Sequence, residues 1–200
     1  MRDLLKEIFK KQQINVTASM GPKSWPASSS SIGKQKLRPA AVLVPILDHK
    51  HGMQILLTER TETMSKHPGQ IAFPGGAKES IDITPEETAL RETKEEIGLS
   101  PSKVRVLGRM NSRDTATGYN VMPIVGLITP PVSLKLAPTE VAKVFEIPLT
   151  FIIDPKSYAL ETRQKCGKSH EYYVMPYKEH YIWGLTARIL VELGKMLRDA

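Results

Sequence analysis

Two hundred residues, 40% of them hydrophobic and 24% charged, suffice for one sizeable core, and no apolar run approaches the roughly 20 residues that a membrane-spanning helix requires. The net charge of +7 comes from dispersed Lys and Arg without interleaved aromatics, so it fits a solvated basic surface or a pocket for a small polyanion as readily as nucleic acid. The one cysteine, Cys166, cannot close an internal disulfide and reads as a structural thiol. Met1–Lys11 lacks an uninterrupted apolar stretch and a small-residue cleavage site, so a cytoplasmic location is expected, with organelle targeting left open by the segment's basic, amphipathic character. Leu4, Leu5, Ile8 and Phe9 within it share one side of a short helix.

Residues 17–36 are rich in Ser, Gly and Pro and read as a linker or loosely packed arm. Leu37–Leu47 is a buried strand, Asp48–Gly52 a turn and Met53–Thr58 a second strand, together a hairpin. A loop runs through Glu59–Gln70, and the short strand Ile71–Phe73 ends at Pro74-Gly75-Gly76. Val104–Met110 and Tyr119–Ile128 are further strands, and Glu140–Val144 is read as a short helical turn. Gly184–Leu197 carries Leu185, Ile189, Leu193 and Leu197 at helical spacing. Short strands with one helix in the middle and one at the end predict a mixed α/β sandwich.

The most informative segment is Gly75–Leu99. Thr84 can cap a helix N-terminus with Pro85 as first residue and Glu87 as reciprocal capping partner, and Gly98 sits where a C-terminal glycine belongs, which predicts a helix over 85–97. At about 100° per residue, Ala89, Leu90, Thr93 and Ile97 face a sheet while Glu92, Glu95 and Glu96 crowd one strip beside them. Like charges at this spacing destabilise an isolated helix. A divalent cation would remove that cost, because Mg²⁺ favours hard carboxylate oxygens. A solvated acidic face is the plainer alternative for such a cluster alone. Gly75 and Gly76 directly after a strand permit a tight turn and close backbone approach, so strand, glycine loop and acidic helix together suggest a site for phosphate and metal.

The segment resembles the Nudix box, G-x5-E-x7-R-E-U-x-E-E-x-G-U with U aliphatic. Arg91, Glu92, Glu95, Glu96, Gly98 and Leu99 match its second half, and Gly76 its opening glycine. Thr93 stands at the first aliphatic position, Asp82 where Glu is usual, and one extra residue separates Asp82 from Arg91. Leu56–Gly76 is further similar to the segment that marks coenzyme A pyrophosphatases within the group, through Arg60, His67, Gly69, Gln70, Phe73, Pro74, Gly75 and Gly76. The similarity covers about residues 37–197, so 37–200 is read as the Nudix domain and 1–36 as an N-terminal helix and flexible arm.

The resemblance implies an α/β/α sandwich with a central mixed β-sheet and a catalytic loop-helix. It implies Mg²⁺ or Mn²⁺ bound by Glu92 and Glu96, with Glu95 and the Gly76 carbonyl as further ligands. Arg91 would orient Glu95. The catalytic base is left open between Glu140 and Glu95. Arg60, His67 and Gln70 are candidates for binding substrate, each with a structural role as the alternative. Tyr119, His180 and Trp183 read as packing residues. The implied reaction is hydrolysis of coenzyme A or acyl-CoA, a small-molecule substrate, to adenosine 3′,5′-bisphosphate and 4′-phosphopantetheine or its acyl form. Related chemistry on ADP-ribose, NADH or a dinucleoside polyphosphate is the nearest alternative, and a non-catalytic nucleotide- or RNA-binding module is the alternative of another class. Neither nucleic acid nor a membrane is the expected partner, and a homodimer is left open.

Overall fold

The apolar run after residue 37 divides its side chains between two cores, and that division sets the architecture. The computed structural model describes residues 1–19, 31–32, 35–63, 68–165 and 168–200. Most of the Ser/Gly/Pro-rich stretch, His67 and Cys166 lie outside the described residues.

Helix α1 (Arg2–Ser19) is followed by a small antiparallel pair, β1 (Ser31–Ile32) and β2 (Gln35–Lys36). The hairpin of β3 (Arg38–His49) and β4 (Gly52–Arg60) then leads into β5 (Ile71–Ala72), β6 (Gly75–Ala77) and α2 (Pro85–Ile97). Beyond these come β7 (Val104–Arg109), β8 (Arg113–Asp114), β9 (Tyr119–Ile128), β10 (Val141–Pro148) and α3 (Leu149–Ile153). The chain ends with β11 (Ala159–Lys165), β12 (Lys168–Tyr177), β13 (His180–Trp183) and α4 (Gly184–Arg198).

The central sheet runs β10-β4-β3-β9-β7, with β5, β6 and β8 pairing on β4, β3 and β9. It is mixed, because β3 lies parallel to β9 while the other pairs are antiparallel. Alternate side chains point to opposite faces of a strand. Ala41 and Leu43 of β3, Leu56 of β4 and Ile124 of β9 therefore pack with Ala89 and Ile97 of α2. Val44, Ile46, Ile55, Leu57 and Val125 pack on the other face with α1, α3 and α4. The result is the expected α/β/α sandwich, with α2 covering one face together with Val132, Leu134 and Leu136. No helix among the described residues is long and apolar enough to cross a membrane.

Residues 141–144 are the correction to the helical turn read at Glu140–Val144. The turn ends at Glu140, and Val141 begins a strand paired along β4 from Arg60 to Gln54. Two β-branched valines that can pack on a sheet outweigh the local helical reading. The β11–β12 hairpin was not anticipated, because its polar residues carry no apolar alternation to mark them. Of the three residues read as packing, His180 is buried and stacked on Phe145, and Tyr119 is half-buried beneath Arg38. Trp183 instead stands 38% exposed, edge-on to Tyr172.

Leu5 and Phe9 of α1 are fully buried, with Phe9 lying against Gly108 of β7. Truncating an aromatic at such a position leaves a cavity, so Phe9→Ala is expected to lower unfolding free energy by about 3–5 kcal/mol in denaturant titrations. An unchanged midpoint would mean that α1 is dispensable to the core.

Candidate active site

Helix α2 is held at both ends, and the site lies along its sheet-facing edge. At its start, Thr84 accepts from the Glu87 N–H at 3.2 Å while Glu87 accepts from the Thr84 N–H at 3.1 Å, the reciprocal cap the sequence announces. Arg109 of β7 grips Glu86 with two bonds of 2.7 and 2.8 Å. At its end Gly98 takes φ 71°, a left-handed conformation that glycine reaches without penalty. The helix carbonyls of Glu96 and Ile97 accept from the Ala137 and Lys135 N–H groups at 2.8 and 2.9 Å. Thr93, at a position where an aliphatic is usual, is buried because its hydroxyl donates back to the Ala89 carbonyl at 2.6 Å.

These restraints carry Glu96 into the protein, where its side chain is only 5% exposed. Burial, the largest influence, pushes its carboxyl up to about 7; the Gly75 N–H and Arg60 oppose that rise, and the charges of Glu92 and Glu140 add to it. The Gly75 N–H donates to Glu96 Oε2 at 3.1 Å, and Arg60 Nη1 stands 3.7 Å from Oε1. Gly75 has φ 150°, and a Cβ there would lie 2.4 Å from the Ala41 carbonyl oxygen, so only glycine brings this N–H to the carboxylate. At Gly76 a Cβ would meet the Glu92 carboxylate at 2.5–2.7 Å. The second glycine thus lets Glu92 lie against the loop backbone. Burial also raises the Glu92 carboxyl, Arg91 pulls it back, and Glu95 and Glu140 raise it further.

Arg91 is the strut of the cluster. Its Nε and Nη2 donate to Asp82 at 3.1 and 3.0 Å, Nη2 also reaches the Ala77 carbonyl at 3.1 Å and Glu92 at 2.9 Å, and Nη1 donates to Glu95 at 3.0 Å. The hydrogen bond to Asp82 leads the influences that hold Arg91 firmly protonated. Asp82 is buried and also accepts from the Glu79 N–H at 2.8 Å and the Thr88 hydroxyl at 2.9 Å. Burial pushes its carboxyl up, but these bonds outweigh it and leave Asp82 below the usual carboxylate range. The extra residue after Asp82 therefore does not cost it its contact with Arg91. Its role as anchor was not readable from spacing.

Backbone bonds gather the remaining candidates. The Arg60 N–H donates to the Gln70 carbonyl at 3.0 Å, and the Thr61 N–H to the Glu140 carbonyl at 3.1 Å. Arg60, Gln70 and Glu140 thus converge near the end of β4, and the charge of Glu140 is felt by both Glu92 and Glu96. Glu95 is the outlier, 58% exposed and turned to Arg91. Among the described residues no three acidic, imidazole or thiol groups form a ready-made ligand shell; the carboxylates are distributed onto guanidinium and N–H donors instead. An open cleft of about 220 Å³ between Met110–Arg113 and α4 belongs to the opposite side of the sheet and shares no residue with this cluster.

The NUDIX domain model matches residues 36–165. A protein of Photorhabdus laumondii named uncharacterized Nudix hydrolase NudL is 43% identical over 161 residues, spanning 80% of this chain and 86% of its own. Its namesake from Escherichia coli K12 is 40% identical over 157 residues, 78% of this chain and 81% of its own. Among solved structures, a MutT/nudix family protein from Enterococcus faecalis superposes with a TM-score of 0.52 at 16% identity over 97% of this chain and 73% of its own. The NUDIX domain of Shewanella oneidensis NrtR, solved with ADP ribose, gives 0.50 at 16% identity over 86% of this chain and 92% of its own. At these identities the structures speak to the fold alone.

The raised carboxyl at Glu96 has a consequence for stability. In the unfolded chain the group ionises near 4.5, in the fold near 7, so between these values the folded state binds more protons. Without divalent ions, stability is expected to fall by about 3 kcal/mol as pH rises from 4.5 to 7 and to level off above. Glu96→Gln should flatten that slope in urea titrations across the range; an unchanged slope would assign the dependence to other groups.

Proposed function

The chain belongs to the NUDIX domain family, and on that premise we propose that this Nudix hydrolase splits the pyrophosphate of coenzyme A or an acyl-CoA with Mg²⁺ or Mn²⁺. One observation carries the metal-dependent reading. Five carboxylates, Asp82, Glu92, Glu95, Glu96 and Glu140, are set about two guanidiniums, Arg60 and Arg91, and two of the five, Glu92 and Glu96, are left above the usual carboxylate range. Hard oxygens in a cation-deficient cluster suit a divalent ion. Glu92 and Glu96 are the residues that would hold it, with Glu95 and the Gly76 carbonyl as further donors.

A divalent ion held there by Glu92 and Glu96 would supply neutralisation of phosphoryl charge and a more acidic attacking water. The protein's own part is to hold the reactants and take the proton. Arg60 presents a planar fork to a non-bridging phosphate oxygen, with Gln70 tied beside it. Glu140 is the stronger choice of base, because Glu95 is committed to Arg91 while the charge of Glu140 reaches both Glu92 and Glu96. It accepts the proton of the water whose oxygen bonds to phosphorus as the anhydride P–O bond breaks. Arg91 and Asp82 act as positioning residues, fixing the carboxylates without touching substrate. The coenzyme A assignment is supported by the similarity of the 56–76 segment to that subgroup and by the gathering of Arg60 and Gln70 beside Glu96.

Incubation with coenzyme A, ADP-ribose and NADH separately, in Mg²⁺, Mn²⁺ or EDTA, tests this. Release of adenosine 3′,5′-bisphosphate from coenzyme A is expected only with metal. Glu96→Gln should reduce it at least about a hundredfold, and Asp82→Ala by roughly ten- to a hundredfold as a change in metal affinity. Turnover of ADP-ribose or NADH alone would sink the coenzyme A assignment, and salt-sensitive RNA binding without turnover would sink the hydrolase reading.

A further inference from the structure

The strands of the central sheet bury side chains against helices, whereas residues 159–164 of β11 and 169–171 of β12 are exposed throughout. β11 pairs with β12 over all seven of its residues without a register break, and no described strand pairs with its other side. An open edge offers a row of N–H and C=O groups to another chain, and proteins ordinarily blunt it with proline, a bulge or like charges. Residues 159–165, ALETRQK, contain no proline, and their charges are mixed in sign: Glu161 and Arg163 lie on one face and flank Thr162, with Lys165 at the strand's end.

That order is self-complementary. Antiparallel pairing of the strand with its own copy about Thr162 sets Glu161 of each chain opposite Arg163 of the other, twice, and Leu160 opposite Gln164. Centring on Glu161 or Arg163 would instead set that charged residue directly against its own copy. Glu161 is already fixed on its face, accepting from the Tyr172 hydroxyl at 2.9 Å and the Tyr181 hydroxyl at 3.2 Å. The same face carries the exposed Tyr181 and Trp183, which would extend across the joined sheets. We propose that the outer edge of β11 pairs with the same edge of a second copy of this chain, antiparallel about Thr162, to form a two-fold dimer with a continuous six-stranded sheet. Such an interface is isologous and small, so it assembles with concentration.

Sedimentation of the full chain tests the assembly. The mass should rise with concentration from 22.3 kDa toward twice that value. Arg163→Glu, which sets glutamate against glutamate, should move the midpoint about tenfold higher, and the double reversal Glu161→Arg/Arg163→Glu should restore it. The register has its own readout, in a Cys166→Ser background. Opposed residues of an antiparallel pair have Cα atoms about 4.5–5.5 Å apart, within disulfide reach, so Thr162→Cys should cross-link on oxidation. Leu160→Cys should not, being displaced by four residues or roughly 13 Å from its own copy. A monomer at every concentration, a dimer indifferent to Arg163→Glu, or equal cross-linking at 160 and 162 would overturn the proposal.

Discussion

Glu96 is a carboxylate taken out of water on a helix whose packing leaves it nowhere else to go, and much of the site is arranged around that fact. Its neighbours Thr93 and Ile97 are buried against the sheet, so position 96 is carried inward with them. Removing an ionised carboxylate from water is costly unless something compensates. The compensation comes from one backbone N–H that only glycine at 75 can deliver, and from Arg60 at the end of β4. It is incomplete, which is why the group holds its proton toward neutrality. Fixing such a group spends stability for a preorganised site.

The residues that meet there come from four separated stretches, and the joints between them are backbone hydrogen bonds. The end of α2 receives N–H groups from Lys135 and Ala137, Arg60 at the end of β4 and Thr61 just beyond it donate their N–H groups to the carbonyls of Gln70 and Glu140, and β6 lies on β3 beside Ala41. Such bonds hold position whatever the side chains do, so Glu140 is placed near Glu96 by its chain path and not by attraction, which between two carboxylates would be repulsion. Loops tied in this way act as extensions of the rigid sheet, and that suits groups that must stay close against their own charge.

Local chemistry explains what could be read in advance. Helix 85–97 announces itself through Thr84, Pro85, Glu87 and Gly98, all of which act on neighbours within a few residues. Strand 119–128 shows as an apolar run, and the acidic strip follows from helical spacing alone. What escaped depends on distance in sequence. Asp82 could be assigned as the anchor of Arg91 only once the loop's course was known, since an extra residue displaces it from the familiar spacing. Residues 141–144 are a strand because β4 lies beside them. The β11–β12 hairpin faces solvent on both sides at its far end, so no hydrophobic period exists there to be found.

The balance of charge separates the roles of the two arginines. Arg91 is spent on structure: Asp82, Glu92, Glu95 and the Ala77 carbonyl occupy its donors, and breaking these bonds would release three carboxylates at once. Arg60 meets Glu96 at the looser distance of 3.7 Å. On the proposed reading, a cation that took over the neutralisation of Glu96 would weaken that carboxylate's pull on Arg60 and favour the guanidinium's contact with an anionic substrate. The acidic cluster would then change from repelling a polyphosphate to holding one, while a surface of net charge +7 favours the approach of such an anion from solvent. Metal and substrate binding would thereby be coupled through the Arg60–Glu96 ion pair.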